Sequence, residues 1–230
     1  MAGLRRLEVW RMRDLVNYAE ALHLQSQLVE RRRRGGADVL LSLQHPPTFT
    51  VGKRRTVHNM LASPQELHAI GAELHMTERG GDITYHGPGQ PVLYPILGLR
   101  EMRVGVRAYV EGLEDVMVEV CKMHGVDARG RMEKETGVWV QGLRKIGAIG
   151  VRVSSGSITS HGLAFNVDPN LAHFDHIVPC GIRDKEVTSL RKEVSPVVPD
   201  VEEVTEQLIQ CLAKQFGFAA VVDMEAPSFS

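Results

Sequence analysis

The spacing of apolar positions divides the chain into short elements that switch between helical and extended periods. Leu7-Glu8-Val9-Trp10 alternates like a half-buried strand. Leu15, Tyr18, Ala19, Leu22, Leu28 and Val29 then fall at helical spacing, and predict a helix capped by Asp14 that runs to about Arg34, before Gly35. Its last turn holds Arg31 to Arg34, where cations suit the helix dipole. With no aromatic residue interleaved, that run predicts a solvated helix end rather than a nucleic-acid patch. Residues 39–43 are an apolar run that predicts a buried strand; His45-Pro46-Pro47 breaks it, and residues 48–51 resume extended structure. Ser63-Pro64-Gln65-Glu66 is a capping box with proline at the first helical position, opening a short helix that ends near Gly71. Residues 73–77 read as extended.

A glycine-rich stretch follows from Arg79 to Gln90, and residues 91–99 are again an apolar strand. Residues 106–123 give the clearest amphipathic helix, with Val106, Tyr109, Val110, Leu113, Val116, Met117, Val120 and Cys121 on one face and Gly125 after its end. Four extended pieces are predicted at 126–128, 138–141, 145–153 and 158–167, with Gly142 and Gly156 suited to hairpin turns. A long irregular loop is expected over 168–195. Asp200 and Glu203 cap a last helix through Phe216, and residues 223–230 are expected to fray. The irregular alternation argues for an α/β fold of the α+β type. That means a mixed β-sheet with flanking helices in one domain over 1–230, not a doubly wound sheet.

Composition changes this picture little. At 230 residues one core is expected, and a net charge of −1 calls for neither nucleic acid nor an anionic membrane as partner. No apolar run is long enough to span a bilayer. Arg5, Arg6, Arg11 and Arg13 lend the N-terminus a basic lean, but it has no apolar h-region, and Glu8 and Asp14 do not suit a presequence. An ordinary domain start is expected, any presequence being removed or atypical. Three widely spaced cysteines without a C-x-x-C pair predict neither a disulfide framework nor a zinc site, and suit a reducing compartment.

Cys121 and Cys211 lie on apolar faces of predicted helices and read as packing. Cys180 differs: Val178-Pro179-Cys180-Gly181 lies in the polar loop, where proline removes a donor and glycine permits a sharp turn. A thiol reacts as its thiolate, and with an ordinary pKa of about 8.5 it needs a nearby cation or base. His161, His173, His176, Lys185 and Lys145 are all candidates, and an inert thiol remains open. Lys145 begins Lys145-Ile146-Gly147-Ala148-Ile149-Gly150, a strand whose small residues permit close approach by a ligand. Desolvation there would suit it to proton transfer, against the plainer reading of a solvated strand end. The stretch from Arg79 to Gln90 has neither P-loop nor G-x-G-x-x-G spacing; it reads as a turn or as backbone against which a chain-like substrate lies. Ser160-His161-Gly162-Leu163-Ala164 likewise sets a polar pair beside small residues.

Taken together, these blocks resemble the lipoyl(octanoyl) transferase family, most of all its plant mitochondrial branch. The resemblance is carried by His45-Pro46-Pro47 with Gly52, by Arg79 through Gln90, by Lys145 through Gly150, and by His161-Gly162-Leu163-Ala164-Phe165-Asn166 with Pro179-Cys180-Gly181. It runs from about residue 7 to about 217. One departure is visible: Ser154-Ser155-Gly156-Ser157-Ile158 is one residue longer than the family's pattern, a length that a hairpin loop absorbs. The resemblance implies the fold of biotin and lipoate protein ligases. The implied activity is transfer of octanoyl from octanoyl-acyl carrier protein to a lysine of lipoyl domains, those of E2 subunits and of the glycine cleavage H protein. By the same resemblance the thioester cysteine is Cys180 and its acid–base partner Lys145. Substrate binding falls to Arg79, Gly80, Gly81, Asp82, Ile83, Thr84, Tyr85 and His86, to Ala148, Ile149 and Gly150, and to Gly162, Leu163 and Ala164. His45 and His161 are supporting candidates. No cofactor, metal or ATP is implied, and a monomer in the mitochondrial matrix is expected, or in the cytoplasm for a bacterial source. Three rival readings are an ATP-dependent lipoate or biotin protein ligase, which needs no nucleophilic cysteine, a lipoyl-domain-binding module without chemistry, and a cysteine hydrolase, which would release free octanoate.

Overall fold

The computed structural model describes residues 5–133, 135–178 and 185–225. The alternation at the start of the chain extends further than its sequence suggests. β1 (Arg6–Leu15) pairs in parallel with β2 (Asp38–Gln44) as far as Leu15↔Gln44. Asp14 therefore belongs to a strand, and the first helix, α1 (Tyr18–Arg33), starts later. Its cap is Asn17, whose side chain accepts the Ala19 N–H. The arginine run at its end is not wholly solvated. Arg32 is buried, with Nε 2.8 Å from Asp38 Oδ1 and its other face on Glu101, while Arg31 pairs with Glu8. Asp38 also accepts the Gly98 N–H at 2.9 Å, so this pair ties the end of α1 to two sheet strands.

Nine strands of the described residues form one mixed sheet. Its order is β12 (Ala220–Met224), β1, β2, β6 (Val92–Ile96), β10 (Ile158–Phe165), β9 (Arg144–Ser154), β8 (Val138–Val140) and β7 (Ala128–Arg129), with β11 (Glu186–Val187) pairing β9. β12 and β11 run parallel to their partners, whereas β2, β6, β10, β9, β8 and β7 are successively antiparallel. A second sheet of three strands lies in the order β4 (Glu73–Met76), β3 (Thr48–Val51), β5 (Ile83–His86). The mixed sheets match the sequence expectation. β12 was not expected; its Val221 and Val222 take their place only by pairing with Leu7 and Glu8. The segment expected as a loop from 168 contains a 3-10 turn (Leu171–His176), β11 and a short helix at Leu190–Glu193.

Three apolar clusters hold these layers together. After the short helix α3 (Leu99–Met102), the longest amphipathic helix, α4 (Val106–Met123), packs with the last helix (Val201–Gln215) on one face of the large sheet through Leu113, Met117 and Leu208. Such side chains contribute about 1.5–3 kcal/mol each on full burial. Cys121 is in this layer, its thiol pushed up to about 12 by burial, and Cys211 beside it is raised for the same reason. Both are inert packing, as expected. α1 covers part of the opposite face with Leu24 and Leu28. Further along that face, Phe49, Tyr85, Phe174 and Leu67 gather under the small sheet, with α2 (Pro64–Ala69) and the Leu171–His176 turn closing the cluster.

Candidate active site

Small residues facing each other across β9 and β10 leave a slot on the large sheet. Ala148 pairs with Ala164 and Gly150 with Gly162, and their side chains leave room that Val or Leu would fill. At Gly162 this closeness is obligatory, because an added Cβ would lie 2.1 Å from the Leu93 carbonyl oxygen. The small sheet supplies the other wall. Arg79, Gly81, Asp82, Ile83, Thr84 and His86 line the slot opposite Ala148, Ile149, Gly150, Gly162, Leu163 and Ala164.

The glycine-rich stretch from Arg79 to Gln90 is thus turn at both ends, with β5 in its middle. Its polar groups are tied inward. Arg79 donates from Nη2 to the Thr50 carbonyl at 2.6 Å and from Nη1 to the Gly80 carbonyl at 3.0 Å. The buried Asp82 carboxylate accepts from Thr56 and, at 2.6 Å, from Asn59. Two residues of the expected substrate-binding set stand off the lining. Gly80 uses its N–H on the Val151 carbonyl at 2.8 Å, stitching the stretch to β9. Tyr85 points into the small-sheet cluster between Phe49 and Phe174, its hydroxyl 2.6 Å from His173 Nδ1. On β5, Tyr85 turns into that cluster while Thr84 and His86 face the slot, and Ile83, packed in the same cluster as Tyr85, also reaches the lining.

One end of the slot is a layer of buried imidazoles and phenols. His161 takes a left-handed φ of 57°, held by its N–H on Gln25 Oε1 at 2.6 Å. Neither of its ring nitrogens has a hydrogen-bond partner among the described residues, and burial lowers its pKa to about 3. His86 sits at about 3 for the same reason, with Nδ1 2.8 Å from Gln90 Oε1. His45 lies one layer behind the lining. Its Nδ1 contacts the Val16 carbonyl at 2.7 Å, which can only accept, so Nδ1 carries the proton. With burial holding the ring near 4 and therefore neutral, Nε2 accepts from the Tyr94 hydroxyl at 2.9 Å.

Lys145 marks the other end. It is 7% exposed, not a solvated strand end. Its Nζ donates to the Thr136 carbonyl at 3.1 Å and stands 5.0 Å from the centre of the Trp139 ring. Gly137, at φ 125°, passes so close beneath it that a Cβ there would lie 2.8 Å from Lys145 Cε. Of the other bases, Lys185 is paired with Glu135 and also lies over the Trp139 ring, His173 is bonded to Tyr85, and His176 meets the Phe49 ring edge-on. Of the five candidate bases, Lys145 and His161 line the slot. Cys180 lies outside the described residues. The chain on both sides of it is anchored: Val178 N–H donates to the Asn59 carbonyl at 2.8 Å, and Val187 pairs with Lys145 in β11–β9.

Lining residues not expected from sequence are Tyr18, Gln90, Val92, Tyr94, Gly147, Asn166, Phe174 and Val187. Gln90 donates to the Asn166 side chain at 2.9 Å, and Asn166 donates to the Thr188 carbonyl at 2.9 Å. Their polarity inside motif blocks was the available signal; Tyr94, in an apolar run, gave none.

A slot with apolar residues on both walls and a buried lysine at one end suits acyl transfer. The sequence profile of the lipoyl protein ligase A/B catalytic domain matches residues 17–213. The chain belongs to the lipoyl protein ligase A/B catalytic family. Within the family it is 58% identical over 229 residues to the mitochondrial octanoyltransferase LIP2 of Arabidopsis thaliana, covering 99% of this chain and 96% of that protein. An octanoyltransferase of Bacteroides thetaiotaomicron is 46% identical, over 85% of this chain and 89% of its own length. The fold is shared with a putative lipoate protein ligase of T. acidophilum, at a TM-score of 0.72 and 14% identity, over 99% of this chain and 90% of that one. At this level of identity to octanoyltransferases, the family member described here is an acyltransferase.

Proposed function

We infer that this chain moves an octanoyl group from octanoyl-acyl carrier protein to a lysine of lipoyl domains, through a thioester on Cys180. The observation that carries the reading is Lys145: a buried amino group at the end of an apolar slot, beside the strand by which the chain returns from Cys180. In the first half-reaction Lys145 takes the thiol proton of Cys180. The thiolate attacks the thioester carbonyl of the carrier, and the departing carrier thiol leaves with the proton from Lys145. In the second half, the neutral amine of the target lysine attacks the enzyme thioester. Cys180 leaves as thiol, and the proton lost by the amine passes through Lys145 to it. Exchange between thioesters is nearly balanced and amide formation drives the sum, so no nucleotide is consumed.

The slot residues, Arg79, Gly81 to Thr84 and His86 with Ala148 to Gly150 and Gly162 to Ala164, would bind the acyl chain, with His161 and Tyr94 closing the far end. E2 lipoyl domains and the glycine cleavage H protein are the acceptors. The 58% identical relative being a mitochondrial protein supports the mitochondrial matrix as the place of work. One catalytic domain over 1–230, acting as a monomer, suffices for this chemistry.

Intact mass after incubation with octanoyl-acyl carrier protein, without ATP, tests the reading. One octanoyl adduct is expected on the wild type and none on Cys180→Ala. Transfer that needs ATP and free octanoate instead would replace it with a ligase. A wild type that binds lipoyl domains but takes no adduct would make it a binding module.

A further inference from the structure

Glu114 is a carboxylate placed inside the apolar stripe of α4, next to Leu113 and 3% exposed. A position that only packed would be occupied by an aliphatic side chain, since a buried carboxylate is costly unless its oxygens are satisfied. Among the described residues no cation pairs with it. Its oxygens are instead taken up by backbone: Oε1 accepts the Gly137 N–H and Oε2 the Arg131 N–H, each at 2.8 Å. Gly130 is packed against it so closely that a Cβ there would lie 2.6 Å from Glu114 Cβ. Glu114 thus grips both ends of the segment from Arg131 to Gly137.

That segment is what holds the lysine. Thr136 supplies the carbonyl to Lys145 Nζ, and Gly137 lies under the Lys145 stem. Glu135 accepts the Trp139 Nε1–H on its carbonyl at 3.1 Å and pairs with Lys185 through its carboxylate. Among the described residues, the charges beside Lys145 include the Lys185–Glu135 pair, which shares the Trp139 ring with it, and Glu114, which reaches it through Gly137. We propose that Glu114 is a positioning residue for the acid–base lysine: it clamps the 131–137 segment so that the Thr136 carbonyl and the Trp139 ring hold Lys145 Nζ at the end of the slot. The proposal rests on the reading of Lys145 as the proton carrier of Cys180.

Glu114→Gln removes one acceptor and sets an amide N–H against a backbone N–H, with no change in volume. Its kcat is expected to fall about 10- to 100-fold, the range for a misplaced catalytic group, while KM for octanoyl-acyl carrier protein stays within about twofold. The pH dependence of Cys180 alkylation by iodoacetamide, followed by mass spectrometry, gives a readout that packing alone would not move. With Lys145 Nζ loosened as the acceptor of the thiol proton, less thiolate exists at a given pH, so the midpoint moves up. Glu114→Asp keeps both acceptor oxygens on a shorter stem and serves where the glutamine variant does not fold; it is expected to lie between wild type and Gln in kcat and in alkylation midpoint. Wild-type kcat and an unmoved alkylation midpoint in a folded variant, with only a lowered Tm, would overturn the proposal. A wild type that forms no octanoyl adduct would instead remove the thioester reading on which it rests.

Discussion

At the residue scale, His45, His86 and His161 share one cause: burial strips solvent from each ring and holds it at about 4, 3 and 3, against an ordinary 6.5. In the unfolded chain the same rings take up protons near 6.5. The depressed folded value places their stability contribution above pH 6.5, and it is lost as pH falls below that toward 4 and 3. By pH 5 the loss is about 2 kcal/mol per ring. Carboxylates held down by partners, such as Glu193 against Arg144, act only below their ordinary range, so the interval from 6.5 to 5 isolates the histidines. Urea unfolding at pH 7.5 and pH 5 should show stability falling by several kcal/mol. Equal stability at the two values would mean that these rings are not buried and neutral.

At the element scale, glycines separate close approach from mere turn-making. Gly162 cannot accept a Cβ without pushing β6 from β10, because the Leu93 carbonyl oxygen and, at 2.6 Å, Pro95 Cδ stand in its way. Gly162→Ala should cost at least about 3 kcal/mol, with loss of activity as the slot wall moves. Gly105, the cap of α4, has φ −74° and nothing within 4 Å of its added Cβ; Gly105→Ser should hold or slightly raise stability. Denaturant midpoints of the two variants check the contrast. This distinction also marks what the sequence could tell. The α4 stripe was legible from Val106 to Met123 because a long amphipathic pattern decides itself locally, and so did the hairpin of β9 and β10. Asp14 was misread as a cap because the pairing that makes it strand, Leu15 with Gln44, comes from far along the chain. β12 was missed for the same reason, and Arg32 looked solvated until Asp38 and Glu101 were brought to it by the fold. At the site, the motif blocks pointed to most of the slot lining, whereas Tyr94 and Glu114 sit in apolar patterns and show their chemistry only when their neighbours are known.

At the scale of the whole molecule, the slot is a seam between two sheets. The Gly80 N–H on Val151, the Asp168 N–H on the Gly89 carbonyl, the Gly89 N–H on Gln44 Oε1 and the Gln90–Asn166 pair are among the polar stitches across it. An acyl chain lying in the seam touches both walls at once, so it should couple the small sheet to the large one. Hydrogen exchange on the octanoyl-loaded enzyme is expected to slow at 79–86, 147–151 and 161–164 together, and not at β12 or its partner β1 on the far edge. The same coupling should appear in equilibrium binding: in Cys180→Ala, octanoyl-pantetheine at a hundred times its Kd should add about 2.7 kcal/mol of stability. Slowing confined to one wall, or spread evenly to β12, would mean that the acyl chain lies elsewhere than in the seam.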